Sequence, residues 1–123
     1  MTIFDKLTRL ENEAADFGFK WETVDQIKAQ IMSELTEIDV HLNDLVKNKL
    51  QEEMGDLLHA AFSLCIFLKL DPKITLAKSI DKFERRFNAV KQIAEQQGLT
   101  SLNGKSFDEL MNFWNKAKEY DKS

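Results

Sequence analysis

The sequence predicts a small all-α domain, and three features of its composition support that prediction. The chain has 123 residues, a length typical of one domain. Glycine and proline together number five, too few for the many tight turns of a β-sandwich or barrel. The helix formers Ala, Leu, Met, Glu, Lys, Gln and Arg supply 62 residues, whereas Val, Ile and Thr supply 18. This balance favours helices over strands.

Two helices are predicted in the first third of the chain. Residues 2 to about 17 carry apolar side chains at helical spacing, and Gly18 is placed to end this helix. Thr23 with Gln26 has the pattern of a capping box. An apolar stripe continues from that cap to about residue 43, which predicts a second amphipathic helix.

Two longer helices are predicted next. The third covers residues 46–69 and is apolar almost all round in its second half, so it should be the central helix. Asp71 and Pro72 suit the N-cap and first position of a fourth helix, which runs to Gln97 and stops at Gly98.

A short fifth helix completes the predicted architecture. Ser106 with Glu109 forms a second capping-box pattern, and helical spacing continues through about Glu119. No internal repeat or linker interrupts the chain. The sequence therefore predicts one domain over residues 1–123, a four-helix bundle-like fold with a short C-terminal helix.

Charge and apolar segments argue against several classes of protein. The net charge of −4 gives no support to nucleic-acid binding, which favours a basic surface. The most apolar stretch, residues 57–70, is too short to span a bilayer, and the N-terminus lacks the pattern of a signal peptide. A single cysteine, Cys65, lies in that stretch and reads as a buried thiol in a reducing compartment. We expect a cytoplasmic protein with no membrane partner.

Two acidic pairs are the strongest candidates for chemistry. Glu34 and Glu37 on the second helix, and Glu53 and Asp56 on the third, each stand three residues apart at the edge of an apolar stripe. If the two helices pack antiparallel, four carboxylates converge at their seam. Oxygen ligands of this kind suit Mg²⁺ or Mn²⁺. The alternative is that the pairs are solvated helix faces, which are common in a chain this acidic.

Gly55 lies between the acids of the second pair. Glycine inside a helix costs about 1 kcal/mol relative to alanine, so its presence there favours close approach of a partner helix or a ligand.

Five segments follow one another in an order that is more specific than any of them alone. They are Gly18-Phe19-Lys20-Trp21, Ser33-Glu34-Leu35-Thr36-Glu37, Glu52-Glu53-Met54-Gly55-Asp56-Leu57-Leu58, Lys82-Phe83-Glu84-Arg85-Arg86-Phe87 and Phe113-Trp114-Asn115-Lys116-Ala117-Lys118. Together they resemble MazG-type nucleoside triphosphate pyrophosphohydrolases, the second and third segments matching the ExxE and ExxD motifs. That family belongs to the all-α NTP pyrophosphatase superfamily, with dimeric dUTPases and phosphoribosyl-ATP pyrophosphohydrolases.

The resemblance implies a metal-dependent hydrolase. It implies that Glu34, Glu37, Glu53 and Asp56 bind Mg²⁺, for which Mn²⁺ could substitute. The implied reaction cleaves a (d)NTP between its α and β phosphates, giving a monophosphate and pyrophosphate, in nucleotide-pool control or removal of aberrant nucleotides. Glu37 and Glu53 are the expected catalytic carboxylates, and Glu37 is our choice for the group that takes a proton from water.

Basic side chains are implied for the phosphates. The resemblance assigns Lys49, Lys82 and Arg86 to them, and Lys82 and Arg86 stand one helical turn apart, where both can face one polyanion. The alternative is an ordinary basic helix face that pairs with Asp81 or Glu84.

Aromatic residues are candidates for holding the base. Trp21 precedes the second helix and could stack on a nucleobase, with Phe19 and Trp114 as further candidates; packing in the core is the alternative for each. Two positions depart from the family pattern, Ser33 and Ile80, where relatives commonly have Glu and Asn.

The resemblance also implies a homodimer, with a dimer of dimers as an alternative. Two other functional readings stay open: a related hydrolase acting on dUTP or phosphoribosyl-ATP, and a non-catalytic helical interaction module.

Overall fold

The computed structural model describes residues 1–43 and 47–121. The described residues form five helices and no strand, which confirms the all-α prediction. The helices are α1 (Ile3–Phe17), α2 (Val24–His41), α3 (Asn48–Phe67), α4 (Pro72–Gln96) and α5 (Phe107–Tyr120).

The helix starts follow the predicted capping chemistry. The Thr23 and Ser106 hydroxyls accept backbone N–H groups of Gln26 and Glu109, whose side chains bond back to the N-cap N–H groups. Asp71 Oδ1 accepts a hydrogen bond from the Ile74 N–H at 2.9 Å, and the Asp71 side chain thereby caps α4. Both predicted capping boxes and the predicted start of α4 are therefore confirmed.

The helix ends agree with the predicted ends to within two residues. Gly18, at φ +96°, ends α1 as predicted, because its left-handed backbone lets its N–H bond Ala14 and Ala15 carbonyls. Helix α3 ends at Phe67 rather than at residue 69, because Lys69 adopts φ +64°. The predicted start of α3 at residue 46 lies outside the described residues.

The chain divides into two compact units, and the boundary falls early in α4. The N-terminal unit is Met1–Thr75 and the C-terminal unit begins at Leu76. Within the N-terminal unit α3 contacts both α1 and α2, so α3 is the central helix of this unit. The buried residues of α2 are Ile27 and Glu34, and those of α3 are Ala60 and Ser63.

Aromatic and polar contacts join α1 to α3. The rings of Phe4 and Phe62 meet edge to face with centroids 5.2 Å apart. Further along, Glu11 Oε1 accepts a hydrogen bond from the Ser63 hydroxyl and lies 3.1 Å from His59 Nε2. The carboxylate therefore gives the buried Ser63 hydroxyl a partner.

The C-terminal unit has an apolar core. Its buried members come from α4 and α5: Val90, Ile93, Ala94, Phe113 and Ala117. Leu99, Leu102 and Trp114 pack against them. Because α4 and α5 both contribute, this core fixes the two helices against each other.

Two expectations about apolar residues are tested directly. Cys65 is a free thiol and is half-buried rather than fully buried. Among the described residues, no helix has both the length and the apolar character needed to cross a membrane.

Candidate functional site

The packing of α2 on α3 determines where the acidic pairs lie. A ligand atom of Glu37 lies within 4.8 Å of one of Glu53, and one of Glu34 lies within 4.8 Å of one of Asp56. Moving back along α2 therefore corresponds to moving forward along α3, which is an antiparallel register. This is the arrangement under which the sequence predicted that the carboxylates converge.

All four carboxylates meet around Glu53, and we call Glu34, Glu37, Glu53 and Asp56 the acidic cluster. Oxygens of Glu34, Glu53 and Asp56 form one group within 4.8 Å of one another. Glu37 and Glu53 belong to a second such group, so Glu53 is common to both. The structure thus brings together the four residues proposed from sequence as metal ligands.

Glu34 is the least exposed of the four acids, with 8% of its surface accessible. Gln30 Nε2 donates a 2.6 Å hydrogen bond to Glu34 Oε1 from one turn earlier on α2. This bond satisfies one carboxylate oxygen and fixes its direction. Sequence reasoning missed Gln30, although its position four residues before Glu34 placed it on the same helix face.

Electrostatic repulsion in the acidic cluster acts on Glu53. Desolvation raises the pKa of the Glu53 carboxyl above its ordinary value, and the charges of Glu37, Glu34 and Asp56 raise it further. His41 opposes this shift. Without a cation, the cluster therefore favours a proton on Glu53 more than water does.

The donor set fits a hard divalent cation. The ligand oxygens of an octahedral Mg²⁺ at about 2.1 Å lie roughly 3–4 Å from one another. The all-oxygen group of Glu34, Glu53 and Asp56, within 4.8 Å, comes close to that spacing. Small side-chain adjustments would close it around one ion, and Glu53 could also serve a second.

His41 is a nearby residue that was not among the ligands predicted from the sequence. It joins Glu37 and Glu53 in the second group. Its position four residues after Glu37 was the available signal, because both then lie on one helix face. Imidazole is a poorer ligand for Mg²⁺ than a carboxylate, so this group fits magnesium less well than the all-oxygen one.

Gly55 does not have the neighbour that the sequence suggested. A Cβ built there meets no heavy atom within 4 Å. Among the described residues, no helix approaches Gly55 closely, so that explanation for this glycine is wrong. Close approach of a ligand or of a second chain stays open.

Lys49 lies in the first turn of α3, one helical turn before Glu53. Its Nζ lies 3.5 Å from Glu52 Oε2, and both side chains are largely exposed. Such a pair is weak in water, so Lys49 can leave Glu52 for a more highly charged anion.

The cationic residues of α4 have a more organised environment. Arg85 Nε and Arg86 Nε donate to the two carboxylate oxygens of Asp121, at 2.9 and 3.2 Å. The Arg86 guanidinium also lies over the Trp114 ring, 5.8 Å from its centroid. Lys82, one turn before Arg86, is exposed.

The aromatic candidates for base binding lie in different settings. Phe19 is 81% exposed, whereas Trp21 is half-buried. Trp114 packs against the core of the C-terminal unit, and its ring centroid is 5.9 Å from that of Phe83. Core packing, the alternative for Trp114, is thus part of its role.

Comparison with known proteins agrees with the motifs. Over 115 residues, 92% of this chain, the sequence is 31% identical to the nucleoside triphosphate pyrophosphohydrolase of Escherichia coli K12. It is 32% identical, over 94% of the chain, to the nucleoside triphosphate pyrophosphohydrolase/pyrophosphatase MazG of Thermotoga maritima. An uncharacterised Bacillus subtilis protein, YabN, is 33% identical over 76 residues. No protein-family model matches the chain.

The all-α fold and the paired acidic motifs agree with these relatives. The chain is a homologue of the MazG-type nucleoside triphosphate pyrophosphohydrolases. It spans 43–44% of the length of these two relatives.

Proposed function

We propose that this protein is a Mg²⁺-dependent nucleoside triphosphate pyrophosphohydrolase that converts a (d)NTP to the monophosphate and pyrophosphate. The observation that carries the proposal is the convergence of the acidic cluster, because its residues are those that match the two acidic MazG motifs. We further propose that residues 1–123 work as one MazG domain.

The acidic cluster would hold the metal through Glu34, Glu53 and Asp56, with Glu37 as the fourth ligand. Mg²⁺, or Mn²⁺ in its place, would supply positive charge to offset the negative charge of the triphosphate and to activate the attacking water. The Gln30 hydrogen bond keeps Glu34 oriented toward this position.

Catalysis requires a carboxylate that accepts the proton of the attacking water. Glu37 is exposed and has an oxygen within 4.8 Å of Glu53, so water reaches it beside the metal ligands. We propose Glu37 as this base, with Glu53 as the catalytic ligand shared by both groups of donors.

Phosphate binding is assigned to Lys49, Lys82 and Arg86. Lys49 has only a weak exposed pair to give up. Arg86 offers a planar fork suited to bidentate phosphate contact, and Lys82 provides a point charge one turn away. For the base, we propose Trp21, with Phe19 and Trp114 as further candidates, since an aromatic face can stack on any nucleobase.

Exposed apolar side chains support a homodimer. On α2 and α3 these include Met32, Val40, Met54 and Leu58, each more than two-fifths exposed. Burial of such residues between two copies would remove apolar surface from water. We propose a homodimer, which could pair further into a tetramer, acting on the cytoplasmic pool of nucleotides without nucleic acid as substrate.

The decisive experiment measures product identity on a panel of (d)NTPs that includes dUTP, with phosphoribosyl-ATP in parallel. We expect Mg²⁺-dependent release of pyrophosphate and a monophosphate, with loss of turnover when EDTA removes the metal. Release of inorganic phosphate instead would contradict cleavage between the α and β phosphates. Turnover confined to dUTP or phosphoribosyl-ATP would establish the related hydrolases, and no turnover would favour the interaction module.

A matched pair of variants ties any activity to the acidic cluster. Glu37→Gln should abolish most turnover. Asp39→Asn, an equally conservative change at an exposed position two residues further along α2, should leave it unchanged. Equal activity in the two variants would remove the acidic cluster from the reaction.

A further inference from the structure

One carboxylate bridges two consecutive arginines in the C-terminal unit. Asp121 Oδ1 accepts from Arg85 Nε at 2.9 Å, and Asp121 Oδ2 accepts from Arg86 Nε at 3.2 Å. The Asp121 side chain is only 13% exposed, whereas that of Arg85 is 59% exposed. Hydrogen bonds between ionised partners of this kind are shorter and stronger than neutral ones.

Backbone hydrogen bonds hold Asp121 at the end of α5. Its N–H bonds carbonyl groups of Ala117 and Lys118 and closes the last turn of α5. Ala117 is fully buried, and Phe113, one turn earlier, is buried with it against α4. A carboxylate at a helix C-terminus is unfavourable by itself, so the two guanidinium groups offset its charge there.

The hydrogen bond that Arg86 donates to Asp121 does not involve the terminal nitrogens of the guanidinium. It uses Nε, and the ring of Trp114 lies against the guanidinium with 5.8 Å between Cζ and the ring centroid. A guanidinium carries five N–H donors in a planar fork, four of them on the two terminal nitrogens. With Nε and one face engaged, the plane of Arg86 is fixed, and among the described residues no hydrogen bond uses its terminal nitrogens, which keep their donors for another acceptor.

We propose that Asp121 is a positioning residue for Arg86, holding its guanidinium in the orientation that receives a phosphate of the nucleoside triphosphate. The inference rests on the proposed function, because it takes Arg86 to be a phosphate contact. Asp121 itself touches no substrate. It lowers the cost of binding by restricting a long side chain before the substrate arrives.

Charge alone predicts the opposite effect of removing Asp121. Arg85, Arg86 and Asp121 together carry one net positive charge, and loss of the carboxylate raises this to two. A more positive surface attracts a triphosphate more strongly. Positioning predicts weaker substrate binding after Asp121→Asn, whereas simple electrostatics predicts tighter binding, so the sign of the change separates the two.

The test compares KM and kcat for pyrophosphate release by the full chain. For Asp121→Asn we expect KM to rise at least about fivefold while kcat changes by less than about twofold. Asp108→Asn, an exposed acid in the first turn of α5, is the matched control and should leave both constants unchanged. Asp121→Glu, which keeps the carboxylate, should recover part of the lost affinity. Circular dichroism at the assay temperature verifies that each variant is folded.

A double-mutant cycle shows whether Asp121 acts through Arg86. In an Arg86→Ala background, Asp121→Asn should change KM by less than about twofold, because nothing is left to position. An unchanged or lower KM in Asp121→Asn, or an equal rise in both backgrounds, would overturn the inference. If Arg86→Ala leaves KM and kcat intact, the inference also fails, while pyrophosphate release by the wild type still upholds the proposed function. Absence of that release from the wild type would instead reject the proposed function itself.

Discussion

The two units of this chain bury different kinds of side chain. Among the buried residues of α2 and α3, Glu34 and Ser63 are polar and stand beside Ile27 and Ala60. The buried residues of the C-terminal unit, over its described part, are apolar without exception. The N-terminal unit therefore has polar as well as apolar groups in its interior, while the C-terminal unit uses its interior to stabilise two helices.

The charged groups of the two units differ in the same way. In the acidic cluster like charges gather, and the pKa of Glu53 is raised by desolvation and by its acidic neighbours. In the C-terminal unit opposite charges pair, and hydrogen bonding to Arg85 and Arg86 lowers the pKa of Asp121. Repulsion that a cation would relieve is typical of a binding site, whereas the satisfied Arg–Asp bridge contributes to structure and orientation.

The largest effect is expected in the apolar core. Phe113 is 7% exposed, and Phe113→Ala should destabilise the protein by about 3–5 kcal/mol through lost burial and a cavity. Phe107→Ala on the same helix, where the ring is 70% exposed, should cost less than about 1 kcal/mol. Urea unfolding measures both, and similar losses would show that the C-terminal unit does not depend on this core.

Removing one charge from the acidic cluster should stabilise the fold and impair function together. We expect Glu53→Gln to lower pyrophosphohydrolase activity by about a hundredfold or more, since it removes the proposed metal ligand common to both donor groups. The same variant should melt at a higher temperature than wild type in magnesium-free buffer, because like-charge repulsion is relieved.

Magnesium should reverse that order of stability. An ion that binds only the folded site stabilises it by mass action, so wild type should gain thermal stability with Mg²⁺ and Glu53→Gln should gain much less. Calorimetry with and without Mg²⁺ gives the comparison. Full activity in Glu53→Gln together with wild-type magnesium stabilisation would refute the metal assignment.

Acid should affect the two units in opposite directions. The pKa of Glu53 is raised, so its contribution to stability is present below its unfolded value of about 4.3 and is lost as pH rises through its native pKa. The pKa of Asp121 is lowered, so its contribution is present above about 3.9 and is lost as pH falls through its native value.

Unfolding of magnesium-free protein across acidic pH checks both signs. Relative to Glu53→Gln, wild type should gain stability as pH falls from about 6 to 4. Relative to Asp121→Asn, wild type should lose stability as pH falls from about 4 to 2. Parallel pH profiles for wild type and either variant would show that the substituted carboxyl has no altered proton affinity in the native state.

The smallest effect is expected at Gly55, where a helical backbone meets open space. Gly55→Ala should stabilise the protein by about 0.5–1 kcal/mol, the usual difference in helix propensity. Gly104→Ala is the matched control; its site is equally open, but its φ of +86° strains any residue with a Cβ, so it should destabilise. If both variants melt at or below the wild-type temperature, then something outside this chain occupies the space beside Gly55.

The sequence predicted those features that depend on local chemistry. Thr23, Ser106 and Asp71 start helices because their side-chain oxygens accept backbone N–H groups, and that chemistry is visible in a few adjacent letters. The acidic cluster was also predictable, because three-residue spacing places each pair on one helix face.

Features that depend on contacts between helices were not predictable in the same way. Asp121 was not singled out, because its role depends on arginines 35 and 36 positions earlier. Glu11 meets Ser63 across 52 positions, and no local pattern marks such a pair. At Gly55, helix propensity reveals a cost but not what occupies the space beside it, so only the neighbouring-helix half of that prediction is wrong and the ligand stays open.

The start of α3 differs from the capped starts of α1, α2 and α5. Lys47 stands at its N-cap and makes no side-chain hydrogen bond to the helix, whereas Thr2, Thr23 and Ser106 each do. The first amides of α3 therefore exchange with solvent more readily than those of a capped turn. Lys49 lies in that turn. An anion that held the Lys49 side chain in place would slow amide exchange there. Hydrogen exchange at this helix end would therefore detect substrate binding before any bond is cleaved.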